Sequence, residues 1–276
     1  MTQTTLSDRR IRAVCAALAL TAAVGIASAA DAGTNPLGRM LVDDSNFSLN
    51  IRSYFFDRER PGPVYQQAWA LGGWLGYQSG WLGDVFQVGA VGYTSQPLWA
   101  PADAPGSLLL GPDQQGYSVM GQAWGSLRLA GQTLTGGRFE VNQAEVNPQD
   151  NRMTPNTFEG GRMSGDIAGA NYLLAYLTGE KTRNSTQFVN FATVAGAPAG
   201  VSSPMWLFGV SGDPLKDLKL RFSTYHVPDI LNSNYLDANW LTQLSDTYQL
   251  RLAAQLMNQS STGSDALTGS SFSTGV

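Results

Sequence analysis

The chain has 276 residues, of which 17 are Lys or Arg and 21 are Asp or Glu, for a formal net charge of −4. Charged residues make up 14% of the chain, below the ~25% of an average soluble domain. The acidic balance argues against a nucleic-acid partner, which would need a basic face. The single cysteine is Cys15. Because no cysteine follows it, residues 16–276 can form no disulfide, thiolate nucleophile or cysteine metal site.

Residues 1–30 have the features of a secretory signal peptide. Arg9, Arg10 and Arg12 precede a short apolar stretch that ends in small residues suited to cleavage. The apolar stretch is too short for a retained membrane helix. We therefore expect residues 1–30 to direct export and to be removed. Three basic residues and one acidic residue leave with them, so 14 basic and 20 acidic residues remain, a net charge of −6.

Eleven segments follow in which apolar and polar side chains alternate with the period of a β-strand. They cover residues 47–55, 69–78, 85–93, 117–129, 133–141, 162–166, 171–179, 205–211, 218–225, 235–241 and 248–256. Short turns alternate with long loops between them, as in outer-membrane barrels. With 31 glycines, many aromatic residues and few charges, the chain is predicted to be all-β, an antiparallel transmembrane β-barrel. A secreted soluble β-protein is the alternative.

The connection at residues 142–161 is the least ordinary of the loops. Pro148 and Pro155 remove the amide donors that a strand needs, and a loop of this length inside a β-rich chain is usually functional. We expect it to fold into the lumen of the barrel and narrow it, although an ordinary surface loop would have the same composition. Its candidate functional residues are Asp150, Arg152, Phe158 and Glu159.

Basic residues recur on one side of the alternating strands. They are Arg52, Arg128, Arg138, Lys219, Arg221 and Arg251. If the opposite side faces lipid, these six line a water-filled lumen and attract carboxylates. Asp150 and Glu159 on the loop would face them and could bind an ammonium group. This predicts a passage for small carboxylates or amino acids. For each residue the alternative is a solvated or ion-paired wall position without a role in selectivity.

Few residues suggest catalysis. His226 is the only histidine, which cannot build a metal cluster, and no nucleophile–base pair or phosphate-cradling glycine loop is recognisable. The carboxylates Glu145, Asp150 and Glu159 have no second catalytic feature beside them. We expect no metal, no cofactor and no enzymatic activity. A barrel enzyme of the outer-membrane lipase kind is a weaker alternative.

Several short motifs resemble the OprD-type outer-membrane porins, which are substrate-specific channels. They are DS at 44–45 with FSLNIRSYFFDR at 47–58, WALGGWLGYQSG at 69–80, NRMTPNTFEG at 151–160, EKTRNS at 180–185, and the segment 223–235. They occur in the family's order. The resemblance implies an eighteen-stranded barrel in outer-membrane lipid, a third loop folded inward, and passive uptake of small carboxylates or amino acids. Both a monomer and a homotrimer are compatible with it.

The chain departs from the family pattern at two places. Glu159 stands where the family motif has a basic residue. Residues 260–276 are rich in Ser, Thr and Gly, whereas barrels of this type end on a strand that closes with an aromatic residue. Eleven strands is also an odd number, and bacterial single-chain barrels have even counts. We therefore expect residues 31–276 to be a partial barrel domain that lacks about the last third of the barrel. A non-transporting fragment or structural remnant is the alternative to a working porin.

Overall fold

The computed structural model describes residues 13–23, 35–60 and 64–263, and most of these residues are in β-strands. The strands are β1 (Ala13–Ala23), β2 (Asn46–Arg60), β3 (Val64–Gln78), β4 (Phe86–Trp99), β5 (Tyr117–Leu129), β6 (Gln132–Phe139), β7 (Thr157–Ile167), β8 (Ala170–Lys181), β9 (Met205–Leu215), β10 (Leu218–Val227), β11 (Leu231–Gln243) and β12 (Gln249–Ser261). The helices α1 (Pro36–Gly38) and α2 (Phe191–Val194), a π-helical turn (Arg39–Asp43) and a 3₁₀ turn (Pro112–Gln114) are short. Within the described ranges no helix has the length and apolar character to cross a bilayer.

The strands form one sheet in chain order, and each is antiparallel to its neighbours. The eleven predicted strands correspond one to one to β2–β12, so the prediction of an antiparallel all-β architecture is confirmed. Among the described residues β1 pairs only with β2 and β12 only with β11, which leaves the sheet open. β1 lies inside the predicted signal peptide, and the rest of that prediction falls outside the described residues.

The two faces of the sheet differ in chemistry. On the outer face, large apolar side chains point away from the protein: Leu75, Leu129, Trp206 and Leu256 are between 51% and 63% exposed. A continuous exposed apolar band of this kind is what the lipid-facing surface of a barrel presents. The opposite side, which we call the inner face, carries polar and basic residues and is partly covered by loops.

Residues 140–156, which we call the inner loop, lie against this inner face between β6 and β7. Val146 packs with Phe139 in one buried cluster. Met153 is fully buried in a second cluster with Phe56 and Leu109. Leu109 belongs to the β4–β5 loop, which also folds onto the inner face. The inner loop is therefore packed into the molecule by apolar contacts at two separate places.

The predicted loop at 142–161 ends earlier than expected, because β7 already begins at Thr157. The pair Gly160-Gly161, which resembled the end of a loop, lies inside that strand. Gly160 has φ +152°, and a Cβ there would lie 2.2 Å from the carbonyl oxygen of Tyr176. The register between β7 and β8 shifts at this point. Glu159 pairs with Gly179 and Gly160 with Leu177, so Gly160 lies opposite a β-bulge in β8 whose extra residue is Thr178.

A second bulge reverses the alternation within β5. Val91 pairs with Gln122 and Gly92 with Met120, so Gly121 is left without a partner. The phase of β5 changes there. As a result Val119 shares the inner face with Gln122, whereas strict alternation would place it with Ala123 on the other side.

Candidate functional site

The inner loop is tied to the wall by Arg52 in β2. Its guanidinium donates to both carboxylate oxygens of Asp150, from Nη1 at 2.5 Å and from Nη2 at 2.7 Å. Nη1 also donates to the carbonyl oxygen of Arg152 at 2.7 Å. The guanidinium carbon lies 4.3 Å from the ring centroid of Trp74. Arg52 and Asp150 were both predicted as site residues, and the structure brings them together as a bidentate pair.

The second half of the inner loop is held by residues at the end of β8 and at the start of β5. Lys181 at the end of β8 is fully buried, and its Nζ donates to the carbonyl oxygen of Pro155 at 3.1 Å. Thr154 donates from Oγ1 to the carbonyl oxygen of Arg183 at 2.8 Å. Tyr117 of β5 donates to the same carbonyl at 2.7 Å. These contacts fix the backbone just before β7.

Arg152 and Phe158 support the inner loop from both ends. Arg152 donates from Nε to the carbonyl oxygen of Ser107 in the β4–β5 loop at 2.9 Å, and its guanidinium lies 5.1 Å from the ring of Phe56. Phe158 is 2% exposed and stacks on Phe191 of α2 with ring centroids 6.5 Å apart. Both predicted residues make packing contacts here, and Phe158 lies in β7 rather than in the loop.

A carboxylate of the inner loop reaches the far strands of the sheet. Glu145 accepts from Ser233 Oγ in β11 at 2.6 Å and from Gln259 Nε2 in β12 at 3.1 Å. Together with the Arg52–Asp150 pair, these bonds stretch the inner loop across the inner face from β2 to β12.

Three of the predicted basic residues lie on β10 and β12. The carboxylate of Asp237 in β11 accepts a hydrogen bond from Arg221 Nε at 2.8 Å and forms an ion pair with Arg221 Nη2, 2.7 Å away. Asn239 accepts from Arg251 Nη2 at 3.0 Å. Lys219 is exposed and pairs in register with Asn239. All three cations share the inner face, because Ser223 and Gln259, at even spacing along the same strands, also face the inner loop.

A cavity of about 490 Å³ separates the inner loop from β9, β10 and β11. The inner loop contributes amide and carboxylate side chains to it, including Gln149 and Asp150. The wall contributes Arg221, Ser223 and Tyr235. The volume suits a small organic solute, and the donors on the wall side suit an anionic group.

Arg128 also lies on the inner face, but it does not line this cavity. It is two residues from Ser126, which hydrogen-bonds Thr135 across the inner face at 2.8 Å. Its guanidinium carbon lies 3.9 Å from the ring centroid of Trp81 in the β3–β4 turn. A cation held over an aromatic ring in this way is positioned without a counter-charge.

Arg138 differs from the prediction, because the register places it on the outer face. It pairs with Ala123 and Glu159, on the side where Leu134 is 51% exposed. The alternation was assigned the wrong way round here because Phe139 is apolar yet faces inward, where the inner loop buries it. Apolar residues identify the lipid side only where nothing covers the inner face.

Glu159 moves to the outer face with Arg138. The two form an ion pair, with Arg138 Nε donating to Glu159 Oε2 at 2.9 Å. The guanidinium also lies 4.4 Å from the ring of Phe188. Glu159 therefore does not face the other predicted cations.

A buried polar group at the start of the inner loop was not predicted. Glu140 accepts from Tyr93 Oη at 3.1 Å and from Gln122 Nε2 at 2.9 Å, and burial raises the pKa of this carboxyl above its ordinary 4.5. Arg162 in β7 donates from Nη1 to the carbonyl oxygen of Glu140 at 2.7 Å. β6 ends at Phe139, so Glu140 lies outside the strand and its direction could not be predicted from the alternation. Lys181 was visible only as part of a family motif.

In the part of the chain that the structure describes, no group of three or more His, Cys, Asp and Glu side chains could hold a metal ion. His226 lies in β10 opposite Asn232.

Comparisons with known proteins agree with this architecture. The family model described as outer membrane porin, OprD family, matches residues 39–272. No curated protein matches the chain. The fold is similar to the crystal structure of Acinetobacter baumannii OccAB3, with 23% identity and a TM-score of 0.72 over 82% of this chain and 60% of that one. A BenF-like porin from Pseudomonas fluorescens Pf-5 gives 18% identity and a TM-score of 0.73, over 82% and 61%.

Pseudomonas aeruginosa OpdK, solved with vanillate, gives 20% identity and a TM-score of 0.70 over 82% of this chain and 60% of that one. The chain thus spans about 60% of the length of these solved structures. At such identities the likeness concerns the fold.

Proposed function

Because this chain belongs to the OprD family of outer membrane porins, we propose that it works as a passive, non-enzymatic channel for small solutes that carry a carboxylate, amino acids included. The observation that supports the proposal is that the inner loop lies over an inner face that carries basic residues and leaves a cavity beside it. The inner loop narrows the space above the sheet, and Arg221 faces the remaining cavity.

Electrostatics support an anionic solute. Arg52, Arg128, Lys219, Arg221 and Arg251 all lie on the inner face. Guanidinium groups on a water-filled wall attract carboxylates over several ångströms and bind them through paired hydrogen bonds. Asp150 and Asp237 neutralise two of these arginines, so we expect moderate anion preference rather than exclusion of cations.

Location follows from the family and from the N-terminal segment. We propose that residues 1–30 export the chain and that the apolar outer face rests in outer-membrane lipid. N-terminal sequencing of the protein from the outer-membrane fraction should give a start near residue 31. Cross-linking in the same membranes distinguishes a monomer from a homotrimer.

The test of the channel is current through planar lipid bilayers that contain the purified full chain. We expect discrete conductance steps, a reversal potential that indicates anion preference in a KCl gradient, and reduced current when vanillate is added. Arg221→Met should reduce both the anion preference and the vanillate effect. Arg138→Met removes the same chemical group from the outer face and should change neither. Absence of any conductance from correctly folded protein would favour the non-transporting alternative.

A further inference from the structure

We infer that Asp237 is a positioning residue that fixes the orientation of Arg221 and thereby sets the affinity of the cavity for anionic solutes. This inference rests on the proposed channel function. It assigns a role to a carboxylate whose charge alone would oppose the binding of an anion.

The geometry of Asp237 is that of a rigid support. The residue is fully buried, so its carboxylate has little freedom to move. One oxygen, Oδ2, accepts a hydrogen bond from Arg221 Nε at 2.8 Å and forms an ion pair with Arg221 Nη2, 2.7 Å away. The other oxygen accepts from Asn239 Nδ2 at 3.1 Å. Both carboxylate oxygens are therefore engaged, and the carboxylate is fixed in its plane.

The consequence for Arg221 concerns its free N–H groups. A guanidinium carries five N–H donors in a planar fork, and Asp237 engages one edge of it, through the hydrogen bond from Nε and the ion pair with Nη2. The Arg221 side chain is still 53% exposed, and it lines the cavity beside Ser223 and Tyr235. The remaining donors are held facing the cavity next to two hydroxyl groups, an arrangement that suits a carboxylate.

The same strand orients a second arginine. Asn239, two residues after Asp237 on the inner face of β11, donates to Asp237 and accepts from Arg251 Nη2 at 3.0 Å. β11 thus places acceptors at alternate positions that hold guanidinium groups from β10 on one side and β12 on the other. Lys219 in β10 carries a single ammonium group and not a planar guanidinium, so it cannot be oriented in this way.

Charge and orientation have opposite effects on an anionic solute, which makes the role testable. Loss of the negative charge of Asp237 leaves Arg221 uncompensated, and this alone would tighten the binding of a carboxylate. Loss of the support frees a long side chain, which must then give up rotamer freedom each time it binds, an effect of about tenfold in affinity. We expect the second effect to dominate solute binding and the first to dominate the passage of small ions.

The experiment uses the full chain with Asp237→Ala and the nearly isosteric Asp237→Asn. Binding of vanillate is measured by calorimetry in detergent micelles, and the reversal potential is measured in bilayers with a KCl gradient. Both variants should bind vanillate more weakly, by about tenfold for Ala and less for Asn. Their reversal potentials should shift toward anions. Asp246→Asn removes a carboxylate from the exposed β11–β12 turn, and it should leave vanillate binding unchanged.

The outcomes separate this inference from the channel proposal. If either folded Asp237 variant binds vanillate as tightly as the wild type or more tightly, the positioning role is refuted, while a conducting wild type keeps the channel. If Arg221→Met leaves vanillate binding unchanged in a conducting channel, the inference is also refuted. If the wild type neither binds vanillate nor conducts, the channel proposal fails and the inference fails with it. The mobility of the unboiled protein on gels, compared with the boiled protein, verifies folding of each variant.

Discussion

The Arg52–Asp150 pair should determine how often the inner loop leaves the wall. Arg52→Met removes the three hydrogen bonds that Arg52 donates to the inner loop, two to the Asp150 carboxylate and one to the carbonyl oxygen of Arg152, and also one within β2 to Asn50 Oδ1. Hydrogen bonds to charged groups contribute ~1.5–3 kcal/mol each when buried, and exposed ion pairs contribute ~0–1 kcal/mol. The Arg52 side chain is 14% exposed and that of Asp150 is 38% exposed. We therefore expect a loss of about 2–3 kcal/mol for the whole set.

Hydrogen exchange measures this loss directly. The amides of Gln143 and Asn156 bond to carbonyl oxygens within the inner loop, at 2.9 and 2.7 Å, and they exchange only when the loop opens. A loss of 2–3 kcal/mol corresponds to about 30- to 150-fold faster exchange in peptides from 142–156. Peptides from β10 should not change.

Arg128→Met is the matched control for this experiment. It removes an inner-face arginine that contacts Trp81 instead of the inner loop. Exchange of the inner loop should stay at the wild-type rate in this variant. Unchanged exchange in Arg52→Met, or equal acceleration in both variants, would refute the assignment of Arg52 as the anchor.

Three further predictions concern Glu140 of the inner loop and two positions in the strands. Burial raises the pKa of Glu140 above 4.5, so the folded state binds this proton more tightly than the unfolded state. The free energy of unfolding should therefore fall as the pH rises from 4.5 through the raised pKa of the folded state. Urea unfolding of Glu140→Gln in vesicles should not show this pH dependence. Gly121→Ala places a Cβ 2.0 Å from the ring of Tyr93 and should cost about 1–3 kcal/mol, whereas Gly136→Ala, with no atom within 4 Å, should stay within ~0.5 kcal/mol in the same titration. Arg138→Met should leave the reversal potential of the channel unchanged. A shift of the reversal potential toward cations would instead indicate that Arg138 faces the lumen.

The positions of the strands could be predicted because alternation is a local property. Leu218, Leu220 and Phe222 alternate with polar residues, and β10 covers the same segment. The direction of each face is not local. Phe139 is apolar and faces inward because the inner loop covers it, and this reversed the assignment of Arg138.

The candidate site was less predictable, for two physical reasons. The bulges at Gly121 in β5 and at Thr178 in β8 insert a residue and change the phase of the strand, and no periodicity shows where this occurs. Contacts such as Lys181 to Pro155 or Glu145 to Gln259 join residues that are 26 and 114 positions apart. Strand alternation predicted Arg52 as functional and the composition of the loop predicted Asp150, but only the folded loop shows that they are partners of each other.

The inner loop also has a mechanical consequence for the sheet beneath it. A curved sheet is an arc, and a segment fixed at Arg52 in β2 and at Ser233 and Gln259 in β11 and β12 is a chord of that arc. The length of the chord limits how far the arc can flatten or tighten. A substitution that releases the inner loop at either attachment would therefore alter the curvature of the sheet. The change would extend to strands that the substituted residue does not contact.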